Sequence, residues 1–304
     1  MKYFSPLFSF LLVWALLVYT ETFSSIALIN SISQLILFFF IVCIPIWRTR
    51  RMSYVDIGWP WGVALIGLII FYTSDSITPK IIAISTAYFL IGSRMGFGAL
   101  KMWSLGLLKK EFPRYEYQKI RWKKSNKSNT QLAMQIEALA QGFANATFLS
   151  LPALMISNGY TNTILLAEIF GFSIFLLALI METVADFQKI KFLKEMKRLN
   201  KKNMVCNVGL WKYTRHPNYF AEWMVWNGLI IASIPSYLSL YRIEPFFIWL
   251  LLGLALLYTS RIMYVTLVYL TGAIPSEYYS AQKRPEYKSY QKTTNIFFPG
   301  PKKS

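Results

Sequence analysis

The chain has 304 residues and a formal charge of +18, with 55% apolar residues and only 15% charged ones. Counting its glycines raises the apolar share to about 60%, above the roughly 45–50% of ordinary soluble domains. That balance excludes a disordered, collagenous or disulfide-rich secreted chain and opposes an ordinary soluble enzyme.

A helix that crosses a bilayer needs about 20 mostly apolar residues. In chain order such stretches lie at 6–25, 31–47, 57–73, 80–100, 136–157, 163–184, 220–237 and 246–268. They predict an all-α, polytopic integral membrane bundle of about eight transmembrane helices, within a range of roughly seven to nine because three stretches are short or interrupted. Lys2 precedes the first stretch and Glu21 follows it without a small-residue cleavage site, so an uncleaved anchor is expected. The chain reads as a single membrane domain over 1–304, with poorly informative spans in 1–50 and a core at 51–304.

The positive charge is confined to particular connections. Residues 48–51 carry three Lys/Arg, 101–127 nine, 189–215 nine and 283–303 six, and with Lys2 these make 28 of the 32. The alternate connections hold Arg242, with Lys80 at a span border. By the positive-inside rule, eight spans put both termini and all four basic segments in the cytoplasm. The expected location is a multi-pass position in a bacterial inner membrane, or in the endoplasmic reticulum of a eukaryote. Cys43 falls in a span and Cys206 in a basic loop, so neither a structural disulfide nor a metal-ligand spacing is expected.

Three uses compete for the basic loops: orienting the protein against anionic headgroups, binding nucleic acid, or holding a phosphate-rich cofactor. No nucleic-acid recognition motif accompanies the charge, so no nucleic-acid partner is expected. The segment from Gly209 to Glu222, Gly-Leu-Trp-Lys-Tyr-Thr-Arg-His-Pro-Asn-Tyr-Phe-Ala-Glu, joins a basic loop to an apolar helix and contains the only histidine. Pro217 suits a first helical position, and the helix N-terminus beside Arg215 makes an anion site. Asn218 and Glu222, at i and i+4, share a helix face. Each residue also has a plain structural reading: Arg215 as a topological anchor, His216 and Asn218 as helix-start residues, and Tyr213 and Tyr219 as interfacial aromatics.

This segment resembles the signature of the steroid 5-alpha-reductase-like membrane family, in particular its broad bacterial branch. Val55-Asp56-Ile57-Gly58-Trp59, Ser93-Arg94-Met95-Gly96, Arg114-Tyr115, Leu151-Pro152, Asp186-Phe187-Gln188-Lys189 and the run Arg284 to Thr293 are similar to further elements of that branch. The resemblance implies reduction of a carbon–carbon double bond conjugated to a ketone in a lipidic or steroid-like substrate, with NADPH held in a cavity open to the cytoplasm. Carried over by position, Asn218 and Glu222 meet the nicotinamide and Tyr213, Arg215 and His216 the ribose and phosphate neighbourhood, with Trp211 and Tyr219 as further cofactor-binding residues. Asp186, Lys189, Arg284 and Tyr287 complete the cofactor walls, joined by the intramembrane Arg94. Asp56 and Tyr88 are the candidate carbonyl-polarising pair, although Asp56 reads equally as a partner for Arg94. The chain departs from the pattern at Ala221, where glycine is usual, at Asn207, where Asp is common, and at Lys110-Glu111-Phe112-Pro113, where a Gly-Glu-Asp loop is usual.

Two other readings stay open. Membrane methyltransferases of the isoprenylcysteine or phospholipid type, which bind S-adenosylmethionine, carry a similar Arg-His-Pro-x-Tyr element, usually with an apolar x where this chain has Asn218. A non-enzymatic transporter or scaffold predicts polar sites at mid-membrane depth on several helices, rather than one polar cluster beside a basic loop.

Overall fold

The computed structural model describes residues 3–303, so Lys2 lies outside the described residues. Helices dominate, and there is no strand among the described residues. In chain order they are α1 (Ser5–Tyr19), α2 (Ser24–Thr49), α3 (Met52–Thr73), α4 (Pro79–Ser104), α5 (Pro113–Lys124), α6 (Thr130–Ser157), α7 (Leu166–Arg198), α8 (Pro217–Arg242), α9 (Phe246–Lys283) and α10 (Tyr287–Thr293). Seven of them, α2 to α4 and α6 to α9, are long and apolar enough to cross a membrane. The protein is therefore a multi-pass helical membrane bundle.

The eighth expected span is the short helix α1. Its 15 residues reach about 22 Å at 1.5 Å per residue, well under a hydrocarbon core of about 30 Å. It stops at Thr20, whose hydroxyl donates to Leu17 O (2.7 Å) and accepts from Phe23 N–H (3.1 Å). This local side-chain turn competes with the helix and converts 20–23, which hydropathy assigns to the span, into a connection.

Contacts divide the chain into two compact units: Met1–Gly171 with Leu229–Thr259, and Phe172–Gly228 with Ser260–Ser304.

In the first unit the lightly charged connections meet through buried acids. Glu244 accepts from Thr22 N–H (3.0 Å) and Thr22 Oγ1 (2.7 Å), joining the 20–23 turn to the turn before α9. Glu168 pairs with Lys80 at 2.8 Å, joining the start of α4 to the start of α7, with both side chains almost wholly buried. Lys80 also donates to Thr161 Oγ1 (3.1 Å). The basic connections 48–51 and 101–127 meet in the same way: Glu111 accepts from Met52 N–H (2.8 Å) and Ser53 N–H (3.1 Å). Within the first unit, then, the cited bonds join lightly charged connections to one another and basic connections to one another. Helices α3 and α4 pack backbone to backbone, since a Cβ on Gly67 would lie 2.5 Å from Ser85 O and 3.0 Å from Tyr88 Cβ.

In the second unit the other two basic segments are knitted together. Arg215 N–H donates to Asn295 O (2.9 Å) and Gly300 N–H to Tyr213 O (3.0 Å). Thr214 Oγ1 donates to Phe297 O (2.9 Å), and Phe297 sits within a cluster of Phe220, Trp223 and Tyr264 rings. The C-terminal segment is therefore a structural wall of the second unit.

Candidate functional site

Gly209, which opens the motif, adopts a left-handed φ of +53°, and a Cβ there would come within 2.4 Å of Gln188 Oε1. Only glycine meets both demands without strain. The same Gln188 oxygen accepts from Leu210 N–H (2.9 Å), and Trp211 Nε1 donates to Ala185 O (3.0 Å). These bonds lay the loop along α7 and bring the start of α8 beside Asp186 and Lys189.

The result is a cavity of about 270 Å³ wholly within the second unit, close to the lower end of the roughly 300–1,000 Å³ of small-molecule clefts. Asp186, Lys189, Trp211, Arg215, His216, Asn218, Tyr219, Arg284 and Tyr287 all line it, with Cys206, Ser276, Ser280 and Tyr290 among the others. The elements carrying them are α7, the loop before α8, the first turn of α8, the end of α9 and α10.

Two features of this cavity would suit an anionic ligand that also donates hydrogen bonds. Asn218 Nδ2 donates to Asp186 Oδ1 at 3.1 Å, which fixes the amide orientation. Its Oδ1 is then buried without a hydrogen-bond partner among the described residues. A buried acceptor left unmade costs about 1–3 kcal/mol, so an N–H donor on a ligand is the natural complement. Secondly, Lys189 and Arg284 line the wall without a carboxylate partner among the described residues. Lys189 Nζ lies 4.2 Å from the centroid of the Trp211 ring. Arg284 uses Nε on Met204 O (3.2 Å) and Nη1 on Ser280 Oγ (2.9 Å). The N-terminus of α8 adds its own partial positive charge at the same place.

Arg215 plays a different part from the phosphate clamp expected of it. Its Nε and Nη2 bind Glu277 Oε1 and Oε2 at 2.6 and 3.1 Å. Its Nη1 donates to Gln291 O (3.0 Å) and Thr294 O. The guanidinium lines the cavity, but its charge is neutralised and four of its donors are spent on the protein. Glu277, which sequence reasoning missed, also accepts from Gln291 Nε2 (2.7 Å) and contacts His216 Nε2 at 3.0 Å. It shares the stretch between the two basic segments with Glu222 and Glu244, so nothing in the sequence singled it out.

The His216 ring stacks on Tyr219 at 5.2 Å with an interplanar angle of 2°. Burial pushes the imidazole below its ordinary value of 6.5, against the pull of Glu277. The folded state therefore binds the proton less readily than the unfolded chain. The stability tied to this neutral ring is full above the ordinary value and is lost as pH falls toward the folded value. Thermal unfolding in detergent at about pH 7.5 and about pH 5.5 should show a larger fall for the native chain than for His216→Gln; equal falls would remove His216 as the titrating group.

The remaining predicted residues lie elsewhere. Tyr213 is exposed and contributes only its carbonyl. Glu222 is buried one turn beyond Asn218 and is not among the cavity-lining residues. Glu182, one turn before Asp186 on α7, is buried and likewise not among the cavity-lining residues. Ala221 is completely buried, so the extra methyl is accommodated.

The Asp56–Tyr88 pair is not formed. Tyr88 is level with Gly67 on α3, eleven residues and so about 16 Å along the helix from Asp56. Its hydroxyl donates to Leu149 O (2.5 Å) in the interior of the first unit. Asp56 instead pairs with Arg114 and accepts from the Tyr115 hydroxyl at 2.5 Å, rather than serving Arg94. Arg94 is half-buried on α4 and belongs, with Asp56 and Tyr88, to the first unit.

A family profile described as "Protein of unknown function (DUF1295)" matches residues 39–294. The chain belongs to this DUF1295 family. No curated protein and no solved structure matches the chain. The DUF1295 match includes every residue that lines the cavity, whereas α1 precedes it.

Proposed function

We propose that this protein is an NADPH-dependent membrane reductase that saturates a carbon–carbon double bond conjugated to a ketone in a lipidic or steroid-like substrate. The observation that carries the reading is the buried, unpartnered Asn218 Oδ1 in a cavity with two unneutralised cations. The carboxamide of a nicotinamide offers the N–H donor that this oxygen lacks, and its phosphates offer the charge that Lys189 and Arg284 lack. The resemblance of the 209–222 segment to steroid 5-alpha-reductase-like enzymes points the same way. Bound NADPH would supply a hydride equivalent, leaving orientation and electrostatics to the protein.

In this reading Asp186 holds Asn218 so that its oxygen, not its amide nitrogen, faces the ligand. Lys189 and Arg284 bind phosphate, and the hydroxyl of Tyr287, which lines the same wall, donates to ribose or phosphate. Arg215 and Glu277 hold the wall in place without touching the charge of the ligand.

The test compares thermal shifts of the detergent-purified protein with NADPH, NADH and S-adenosylmethionine, since a ligand stabilises in proportion to how far it exceeds its dissociation constant. A shift with NADPH alone is expected. A shift with S-adenosylmethionine alone would replace the reductase by a methyltransferase. Lys189→Met or Arg284→Met should each weaken NADPH binding by about 1.5–3 kcal/mol, the range for hydrogen bonds to charged groups. Asn218→Ala should weaken it too, with membrane insertion unchanged. Native affinity in all three variants would sink the assignment.

A further inference from the structure

The first unit contains a second cavity, of about 190 Å³, that the proposed reductase chemistry does not use. Trp14 of α1, Ser31, Gln34 and Phe38 of α2, and Gly142 and Ala146 of α6 are among its walls. On α6 the lining residues Leu139, Gly142, Phe143 and Ala146 recur at helical spacing, so they form one stripe. Gly142 and Ala146 make that stripe shallow, and a Cβ on Gly142 would already meet the Phe38 ring at 2.9 Å.

The few polar groups in the wall are all satisfied by the protein. Trp14 Nε1 donates to Ser31 Oγ (3.1 Å), which donates in turn to Ala27 O (2.6 Å). Gln34 Nε2 donates to Asn30 Oδ1 (3.2 Å) and Gly62 O (2.8 Å), and its oxygen accepts from Asn145 Nδ2 (3.3 Å). The hollow therefore offers a ligand no donor or acceptor that needs one. Dry apolar cavities of about 150 Å³ exclude water and take up apolar guests, which rules water out here and selects hydrocarbon.

The rim identifies the source of that hydrocarbon. Leu28, Ile32 and Leu35 line the cavity and are also 39%, 57% and 56% exposed on the outer face of a membrane-crossing helix. The medium at that face is the lipid core. We propose that this cavity is a binding site for one acyl chain of a bilayer phospholipid, which enters past the α2 rim and is covered by Trp14. The proposal is independent of the reductase reading.

The test uses the full chain in phosphatidylcholine vesicles containing a trace of phosphatidylcholine with a photoactivatable group midway along one acyl chain. Adducts are mapped by peptide mass spectrometry as the probe fraction is raised. Labelling of the peptides around 28–38 and 139–146 should saturate at low probe fraction. Labelling of the exposed face of α9 around Leu254 and Leu257 should rise in simple proportion, as bulk lipid contact does. Leu139→Trp, which fills the hollow, should cut the saturable labelling several-fold and leave the α9 labelling unchanged. Proportional labelling at both places would overturn the proposal on the native protein alone. Undiminished saturable labelling in a folded Leu139→Trp variant would also overturn it.

Discussion

Replacing Glu277 by alanine should lower stability by about 3–5 kcal/mol, the usual consequence of removing one partner of a buried ion pair. Both side chains of the Arg215–Glu277 pair are more than nine-tenths buried, so solvent screening gives little relief. The loss is large because Glu277 serves three partners at once: the Arg215 fork, His216 and Gln291. Differential scanning of the detergent-solubilised protein should show it as a lowered transition. Glu277→Gln, which keeps an acceptor but drops the charge, should fall between the two. Arg215→Lys should also be destabilising, since an ammonium cannot reproduce a bidentate fork together with two carbonyl contacts. The contrast that matters is with Lys189→Met, which should leave stability close to native while weakening NADPH. If Arg215→Lys were as stable as the native chain and only its NADPH affinity fell, Arg215 would be a phosphate ligand after all.

The second large effect belongs to Lys80 and Glu168. Glu168→Ala strands a lysine that is only 2% exposed, and a loss of about 3–5 kcal/mol is again expected. Glu168 also accepts from Leu165 N–H at 2.8 Å, which adds a helix-start contact to the loss. The double variant Lys80→Met with Glu168→Leu should recover most of the stability, because well-packed apolar replacements of buried pairs are often neutral or better. Thermal unfolding of the two single variants and the double variant decides it. A double variant no more stable than Glu168→Ala would mean that the pair itself, rather than the stranded charge, carries the stability.

What could be read beforehand depended on range. Hydropathy located all eight apolar helices, since a run of apolar residues is a local property, but it overran the end of α1 because Thr20 turns the chain through its own side chain. The resemblance of the 209–222 segment and its companion elements to a known family named nine residues that line the cavity, whereas helical spacing alone links residues only within one element. Pairings between distant residues were not legible. The sequence offers Tyr88 and Arg94 as companions for Asp56, and only the fold shows that it binds Arg114 and Tyr115. Glu277 lies 62 positions from Arg215, with no periodicity to connect them. Tyr88 does not meet Asp56, because the register of α3 against α4, in which Gly67 faces Tyr88, cannot be counted from spacing alone.

The bond from Glu244 to Thr22 has a bearing on how the molecule is made. The first unit is closed by Leu229–Thr259, which leaves the ribosome only after Phe172–Gly228. Domains generally fold as units during synthesis, N-terminal ones first, but here the earliest hairpin lacks the carboxylate for its turn until more than 200 intervening residues have emerged. A nascent chain arrested before α9 would hold that turn without its carboxylate, so the first unit closes only late in synthesis.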